Sequence, residues 1–159
     1  MTLSLRYTLK PTDADTVADI CTDTAFFRDD EIQIARELVE ETLANPNSGY
    51  SFIFAEIDGE VVGYICYGDI PGTVGSFEIY WIATLKRCQG QGVGATLLKA
   101  AENALRELNA RHIYIHTSGT ELYTPTRNFY LKNEYAQVAE LTDFYMVGDS
   151  ELIFRKVLK

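Results

Sequence analysis

The stretch RCQGQGVGATLL, Arg87 to Leu98, places glycines at alternate positions, Gly90, Gly92 and Gly94, directly ahead of a helical pattern. A helix begins with unpaired N–H groups and the positive end of its dipole. Glycine lets an anion approach such a backbone, at φ values that other residues avoid. The stretch is therefore a candidate phosphate cradle, although a tight strand-to-helix turn could need the same glycines for geometry alone. Two phosphate patterns do not fit. A dinucleotide fingerprint needs G-x-G-x-x-G in an early βαβ unit and an acid about 20 residues on. Here the spacing is G-x-G-x-G, and the downstream region reads RHIYIH. A Walker A loop needs a lysine after its last glycine, and none stands there.

Other residues of chemical interest lie on strand-like runs. Glu78 is the only acid in SFEIYWIAT. A carboxylate in an apolar strand is unusual, and burial would raise its pKa toward a useful range; a charge at the start of an edge is the alternative. His112 and His116 bracket RHIYIHT at even spacing and could share a face. Two histidines without a third ligand are weak support for a metal, so they read as structural or substrate-side residues and no metal is expected. Cys21, Cys66 and Cys88 form no C-x-x-C pair. Their odd count and wide spacing suggest reduced thiols, as in a cytoplasmic protein.

The elements that would position these residues can be read from periodicity. Leu3 to Leu9 alternates as a strand. Asp13 to Thr22 reads as a helix with acids early, and Asp29 or Asp30 could cap a second, ended by Asn45-Pro46. Tyr50–Ile57 and Glu60–Tyr67 flank Asp58-Gly59, a strong hairpin signal. Ser76–Thr84 is a further strand, followed by the glycines and a helix from about Gly92 to Asn109. RHIYIHT is the fifth strand. Thr124-Pro125 looks like an N-cap followed by proline at the first helical position, and the helix should end near Asn133. The last strands are expected at Ala136–Leu141 and Glu151–Leu158, with the DFYMVGD segment, Asp143 to Asp149, as a loop between them. The order βααβββαβαββ is an α/β (α+β) arrangement. It predicts a mixed, mostly antiparallel central sheet of about seven strands flanked by about four helices, in a single domain over 1–159.

Composition narrows the partners. The 159 residues are 47% apolar, and 14 basic against 23 acidic side chains leave a net charge of -9. Nucleic-acid binding needs a basic surface and is not expected; a cationic small substrate is compatible with this charge. No run reaches the roughly 18 apolar residues of a membrane helix, and MTLSLRYTLKP has no long apolar core of a signal peptide.

Gln89-Gly90-Gln91-Gly92-Val93-Gly94 resembles the Q/R-x-x-G-x-G/A signature of the GNAT (Gcn5-related) N-acetyltransferase superfamily. IATLKRCQGQGVGATLLKAAE resembles its acetyl-CoA motif, and TPTRNFYLKNEYAQV the following helix-and-strand motif. The resemblance spans about residues 50 to 141 and implies the acyl-CoA N-acyltransferase fold. It implies that main-chain donors of Gly90, Gln91, Gly92, Val93, Gly94 and Ala95, helped by Gln89, hold the pyrophosphate of acetyl-CoA, the co-substrate. It also implies that the pantetheine arm pairs with Ile82, Ala83 and Thr84, chiefly through the main chain of Ile82 and Thr84, where this strand splays from the next. Tyr130 matches the family's general-acid tyrosine, and Glu78 lies on the strand where some members keep a base. An asparagine common seven residues before the FY tyrosine is replaced by Tyr123, leaving Arg127 and Asn128 as candidates for that contact. Leu85-Lys86 stand where many members carry proline. Cys88 has no histidine near it in sequence, so direct transfer is favoured over an acyl-cysteine route.

In this architecture the acceptor lies opposite the coenzyme. Candidate contacts are Phe26, Phe27, Asp30, Tyr80, Phe144 and Tyr145, a mixture of aromatics and acids that suits an amine. The implied activity is transfer of acetyl from acetyl-CoA to a primary amine of a small molecule. A protein lysine or N-terminal acetyltransferase and a non-catalytic acyl-CoA sensor are the alternatives. Dimers are common in the resembled family, so a homodimer is an expectation too.

Overall fold

Asp58 and Gly59 both take positive φ, 52° and 83°, and turn the chain tightly between two strands. The computed structural model describes residues 2–159. Its elements are β1 (Leu3–Arg6), α1 (Asp13–Thr24), α2 (Asp29–Ala44), β2 (Tyr50–Ile57), β3 (Glu60–Asp69), β4 (Ser76–Thr84), α3 (Val93–Glu107), β5 (His112–Ser118), α4 (Thr124–Lys132), β6 (Ala136–Met146) and β7 (Asp149–Val157). Short 3-10 turns at Lys86–Cys88 and Glu121–Tyr123 precede α3 and α4. The predicted order holds throughout.

The seven strands form one open sheet in the order β1-β2-β3-β4-β5-β7-β6. All neighbours are antiparallel except β4 and β5, which run parallel. That parallel pairing covers only Ser76–Ile79 against His112–Ile115. Beyond it β4 continues to Thr84 without β5, so the sheet is split in its middle. Tyr80 is an extra residue in a β-bulge, because Tyr67 pairs with Ile79 and Cys66 with Trp81. A bulge of this kind bends the strand and sharpens its twist.

Each face of the sheet carries its own core. Ile53, Ile65, Ile79, Ile113, Ile115 and Phe154 pack with Leu97, Leu98, Ala101 and Leu105 of α3 and Tyr130 of α4. Val17, Ile20 and Cys21 of α1 and Ala35 and Val39 of α2 cover Phe52, Phe54, Tyr64 and Cys66 on the opposite face.

The structure moves several boundaries. β1 ends at Arg6, not Leu9, because the Arg6 guanidinium turns to the buried Asp13 carboxylate at 2.8 and 2.9 Å. Asp13 also accepts the Lys10 amide, so the intervening residues form a loop that fixes the start of α1. Arg28, not an aspartate, occupies the N-cap of α2, and its amide donates to Glu31 Oε1 at 3.0 Å. Thr124 already lies inside α4, whose cap is Tyr123. Its hydroxyl instead accepts from Arg127 Nη2. DFYMVGD is not a loop: β6 runs on to Met146, and only Val147 and Gly148 turn the hairpin. The positive φ of Asp143 and a register shift between Leu141 and Met146 absorb the irregularity that sequence patterning reads as a strand end.

Candidate active site

The glycine stretch and the split in the sheet lie at opposite ends of one segment, the exit from β4 into α3. Gly90 and Gly92 take φ of 78° and 84°, and Gly92 is the left-handed N-cap of α3. A Cβ at either would meet nothing within 4 Å, so the space in front of them is open. The amides of Gly90, Gln91, Gly92, Val93, Gly94 and Ala95 have no hydrogen-bond partner among the described residues; the first amide in the series to find one is Thr96, at Gly92 O. Six converging orphan donors at a helix N-terminus, with open space before them, fit a diphosphate. Gly94 serves a different purpose. It lies within the helix, and a Cβ there would approach Phe129 Cζ to 3.3 Å, so it allows α4 to close on α3.

The side chains around the cradle mostly shape it. Gln89 Nε2 donates to Thr84 O at 3.1 Å and Gln91 Nε2 to Arg87 O at 3.2 Å. The Lys86 amide is held by Asp23 Oδ2 at 2.7 Å, and Arg87 pairs with Glu60. Gln89, expected as a phosphate donor, here gives its side-chain amide to bracing the β4 exit. Cys88 is buried beside the cradle, and all three cysteines are buried and free.

Main-chain parity decides what the split strand offers. The Leu85 amide donates to Val62 O of β3. Antiparallel pairing alternates, so Ala83 and Trp81 also point to β3, whereas Ile82 and Thr84 point into the gap. Ala83, expected with its neighbours at the pantetheine arm, has its main chain committed to β3 and its side chain in the core under α1. Ile82 and the Thr84 amide are unpaired on that side, which an amide-bearing chain can satisfy, whereas Thr84 O is already taken by Gln89 Nε2.

Tyr130 is buried among Phe129, Tyr135 and Phe154, with ring centroids 5.7 to 6.2 Å apart. Burial pushes its phenol well above the usual tyrosine value. The hydroxyl has no protein partner among the described residues, where Trp81 Nε1 is the sole fully buried side-chain polar atom without one, so the Tyr130 oxygen opens to accessible space. Asn128, one and a half turns from the cap of α4, is exposed and unpaired. Arg127 is committed to the protein itself, donating to Ser118 O at 2.9 Å and Thr120 O at 2.7 Å.

Glu78 lies in the last stretch where β4 and β5 still pair, opposite Tyr114. Its neighbours Phe77 and Ile79 face the α3 core, so Glu78 points to the other side. On that side it meets His116, whose Nε2 stands 3.7 Å from Glu78 Oε1 while Nδ1 stands 2.6 Å from Glu151 Oε1. Burial raises the Glu78 carboxyl, His116 opposes the rise and Glu151 adds to it. Sequence reading assigned His116 no chemical partner. Its parity with His112 showed which face it takes, but only the insertion of β7 between β5 and β6 brings Glu151 beside it.

The remaining acceptor candidates do not all converge. Tyr145 reaches Glu151 Oε1 at 3.5 Å, and Phe144 packs edge-on against Tyr145 at 5.2 Å. Tyr80 stands against Tyr50 at 5.4 Å, its phenol pushed up to about 12 by burial. Phe27 is packed on Trp81, and the Asp30 carboxylate is taken by Arg28 in solvent. Phe26 instead touches Tyr123, whose hydroxyl donates to Phe26 O at 3.3 Å. That contact bridges the α1–α2 connection to the turn after β5, across the split. Two shallow surface grooves, of about 460 and 360 Å³, hold none of these residues.

A sequence model of the acetyltransferase (GNAT) family matches residues 16–135. The chain belongs to the GNAT family. A protein named N-alpha-acetyltransferase from Sulfurisphaera tokodaii is 32% identical over 109 residues, covering 62% of this chain and 64% of that one. The match thus spans just under two thirds of that relative's length. A crystal structure assigned to the GNAT family, from Desulfovibrio desulfuricans, superposes with a TM-score of 0.96 at 36% identity over 98% of this chain and 99% of that one. PaiA N-acetyltransferase from Thermoplasma acidophilum, solved in complex with coenzyme A, shares the fold at a TM-score of 0.78 and 19% identity, over 99% and 100% of the two chains. The GNAT fold accounts for the mixed sheet, its split between β4 and β5, and the glycine-led helix. No helix among the described residues is long and apolar enough to cross a membrane.

Proposed function

We propose that this GNAT domain transfers an acetyl group from acetyl-CoA directly to a primary amine of a small molecule. The observation that carries the proposal is the set of six partnerless amides from Gly90 to Ala95 at the end of a strand whose edge is also unpaired. A diphosphate on the first and an amide-bearing arm on the second would satisfy both, and would aim a thioester at the split. The coenzyme supplies the activated acetyl group.

The chain's own residues supply the rest. Gly90 and Gly92 keep the cradle open, and the Ile82 main chain and the Thr84 amide face the arm beyond the end of the β4–β5 pairing. Tyr130, held neutral by burial, donates its proton toward the departing sulfur. Glu78, whose carboxyl is raised by burial, receives a proton from the incoming ammonium. A main-chain N–H at Ile82 faces the gap where negative charge would develop on the carbonyl oxygen. Transfer in one step needs no cysteine, and Cys88 is buried.

The bridge from Tyr123 to Phe26 supports a small acceptor, because it ties the α1–α2 connection to the turn after β5, where a peptide would need room to lie. The printed name of the Sulfurisphaera tokodaii relative supports a second reading, transfer to the α-amino group of a protein. Thiol release from acetyl-CoA, measured against spermidine, tyramine and a short peptide with a free N-terminus, separates the two. Turnover with the small amines alone is the expected result; turnover with the peptide alone supports the second reading, and none with any amine ends both.

A further inference from the structure

His116 sits between two carboxylates of unequal burial. Glu151 is 8% exposed at the side chain, Glu78 23% and His116 itself 33%. The short contact to Glu151 engages Nδ1, and the Tyr145 hydroxyl donates to the same Glu151 oxygen. Donation of Nδ1–H to a buried carboxylate fixes the imidazole ring and its tautomer, leaving the Nε2 lone pair free. That lone pair is directed at Glu78, across 3.7 Å. The distance is an ionic contact and not a hydrogen bond, and a small rotation of the part-exposed Glu78 side chain closes it. The other titratable and charged groups around the cluster are Asp149 of β7, Tyr80 of β4 and Tyr50 of β2 beside Glu78, and Tyr123, with Arg28 and Glu31 beyond Tyr123.

We propose that His116 is the proton acceptor behind Glu78, positioned by Glu151 and Tyr145; the inference rests on the acetyl-transfer reading above. An amine arrives as an ammonium ion, with no free pair on nitrogen. Glu78 takes one proton from it, and His116 takes that proton from Glu78, which returns to a carboxylate. The freed nitrogen pair forms the C–N bond to the acetyl carbon. The C–S bond breaks, its electron pair leaves with sulfur, and the thiolate takes the Tyr130 proton. The second proton on nitrogen passes through solvent to the Tyr130 oxygen, and His116 releases the first to solvent. The balance is ammonium plus thioester giving amide, thiol and one free proton, with no other reactant.

The arrangement explains why a chain would keep Glu151 inside the sheet. A buried carboxylate is costly without a cationic partner, and protonated His116 is that partner during turnover. It also explains Tyr145: an exposed strand end gains little from a tyrosine, whereas a hydroxyl on Glu151 completes the acceptor's support.

The test is steady-state kinetics with acetyl-CoA and whichever of spermidine, tyramine and the peptide the wild type turns over fastest. His116→Gln keeps a donor for Glu151 but accepts no proton. We expect kcat to fall at least about tenfold, within the range positioned acid–base groups supply, while coenzyme affinity by calorimetry is unchanged. His116→Ala should regain rate when free imidazole is added, an effect that a purely structural histidine does not give. A wild-type rate in His116→Gln, or no imidazole rescue of His116→Ala, overturns the relay. A wild type inert toward all three amines removes the acetyl-transfer reading and the relay with it.

Discussion

Gly94 and Phe129 touch across two helices, so close that a single methyl group on Gly94 would stand 3.3 Å from the Phe129 ring. The contact seats α4 on the first turn of α3, and Tyr130 is the next residue. A glycine inside the Q-x-x-G-x-G stretch therefore also sets where the Tyr130 phenol lies. Gly94→Ala gains about 1 kcal/mol of helix propensity and loses a similar amount to overpacking, so net stability should change little. The ring must shift by some tenths of an ångström, and kcat should fall up to about tenfold through Tyr130 misplacement. Adding Phe129→Leu should restore part of the rate. A strictly additive double mutant would show that the two residues are not coupled.

Gly92 and Gly72 separate strain from ligand contact. Both take φ near +83°, and a Cβ meets nothing within 4 Å at either. Gly72 lies in the loop before β4, away from the cradle. Valine at either site should cost about 1–3 kcal/mol of stability. Only Gly92→Val should also abolish heat of acetyl-CoA association in calorimetry, because its side chain occupies the space in front of the amides. Equal affinity in the two variants would sink the pyrophosphate assignment.

Tyr130→Phe removes a hydroxyl that has no protein hydrogen bond, so the fold should tolerate it. The rate should fall by about 10²–10⁴ if the phenol is the acid for the thiolate. Acetyl-CoA affinity should hold. Because burial raises the phenol, it remains protonated throughout the neutral range, and the wild-type profile should show no loss of rate between pH 7 and 9 from this group. Unchanged kcat in Tyr130→Phe removes the role.

The sequence singled out Glu78 as the one acid of its strand and the glycine stretch as the start of a helix, because both signals depend on residues close together in sequence. The βααβββαβαββ order was legible for the same reason: each element has its own period and its own punctuation, such as Asp58-Gly59. What the sequence hid depends on long-range register. The bulge at Tyr80 shifts parity only when β3 is alongside. His116, Glu151 and Tyr145 come from three strands and meet only because β7 lies between β5 and β6. Phe27 and Asp30 looked available because they fall in a loop-and-cap segment, but Trp81 and Arg28 claim them. Arg127 likewise was spent on carbonyls that exist only once β5 turns into α4.

Glu78 ties stability to pH. Its folded-state pKa is raised, so the folded protein holds that proton to higher pH than the unfolded chain does. The contribution is therefore full below the unfolded carboxyl value, about 4.3, and is lost as pH rises through the folded value. Glu78→Gln keeps the shape without the charge. It should melt higher than wild type at pH 7 and converge with it near pH 4, while losing acetyl transfer at both. A melting difference independent of pH would place the carboxylate in a balanced environment and weaken its case as a proton acceptor.

Tyr123 stands where an asparagine might have been expected, and its hydroxyl instead donates to Phe26 O across the split. Tyr123→Phe deletes that bond and keeps the ring contact at 5.6 Å. The stability loss should be small, about 1 kcal/mol, since a part-buried neutral hydrogen bond is worth little net. On the small-amine reading the functional effect should be larger, because the bond ties the α1–α2 connection to the turn after β5, where that reading puts the acceptor. With it gone, KM for spermidine and tyramine should rise, while the rate with the free-N-terminus peptide should gain relative to both. Acetyl-CoA affinity should not change, since neither Tyr123 nor Phe26 contributes to the amides from Gly90 to Ala95. A change confined to the coenzyme would mean that Tyr123 took over the contact of the asparagine it replaces. A change confined to the acceptors would mean that the chain exchanged a coenzyme contact for a narrower acceptor mouth.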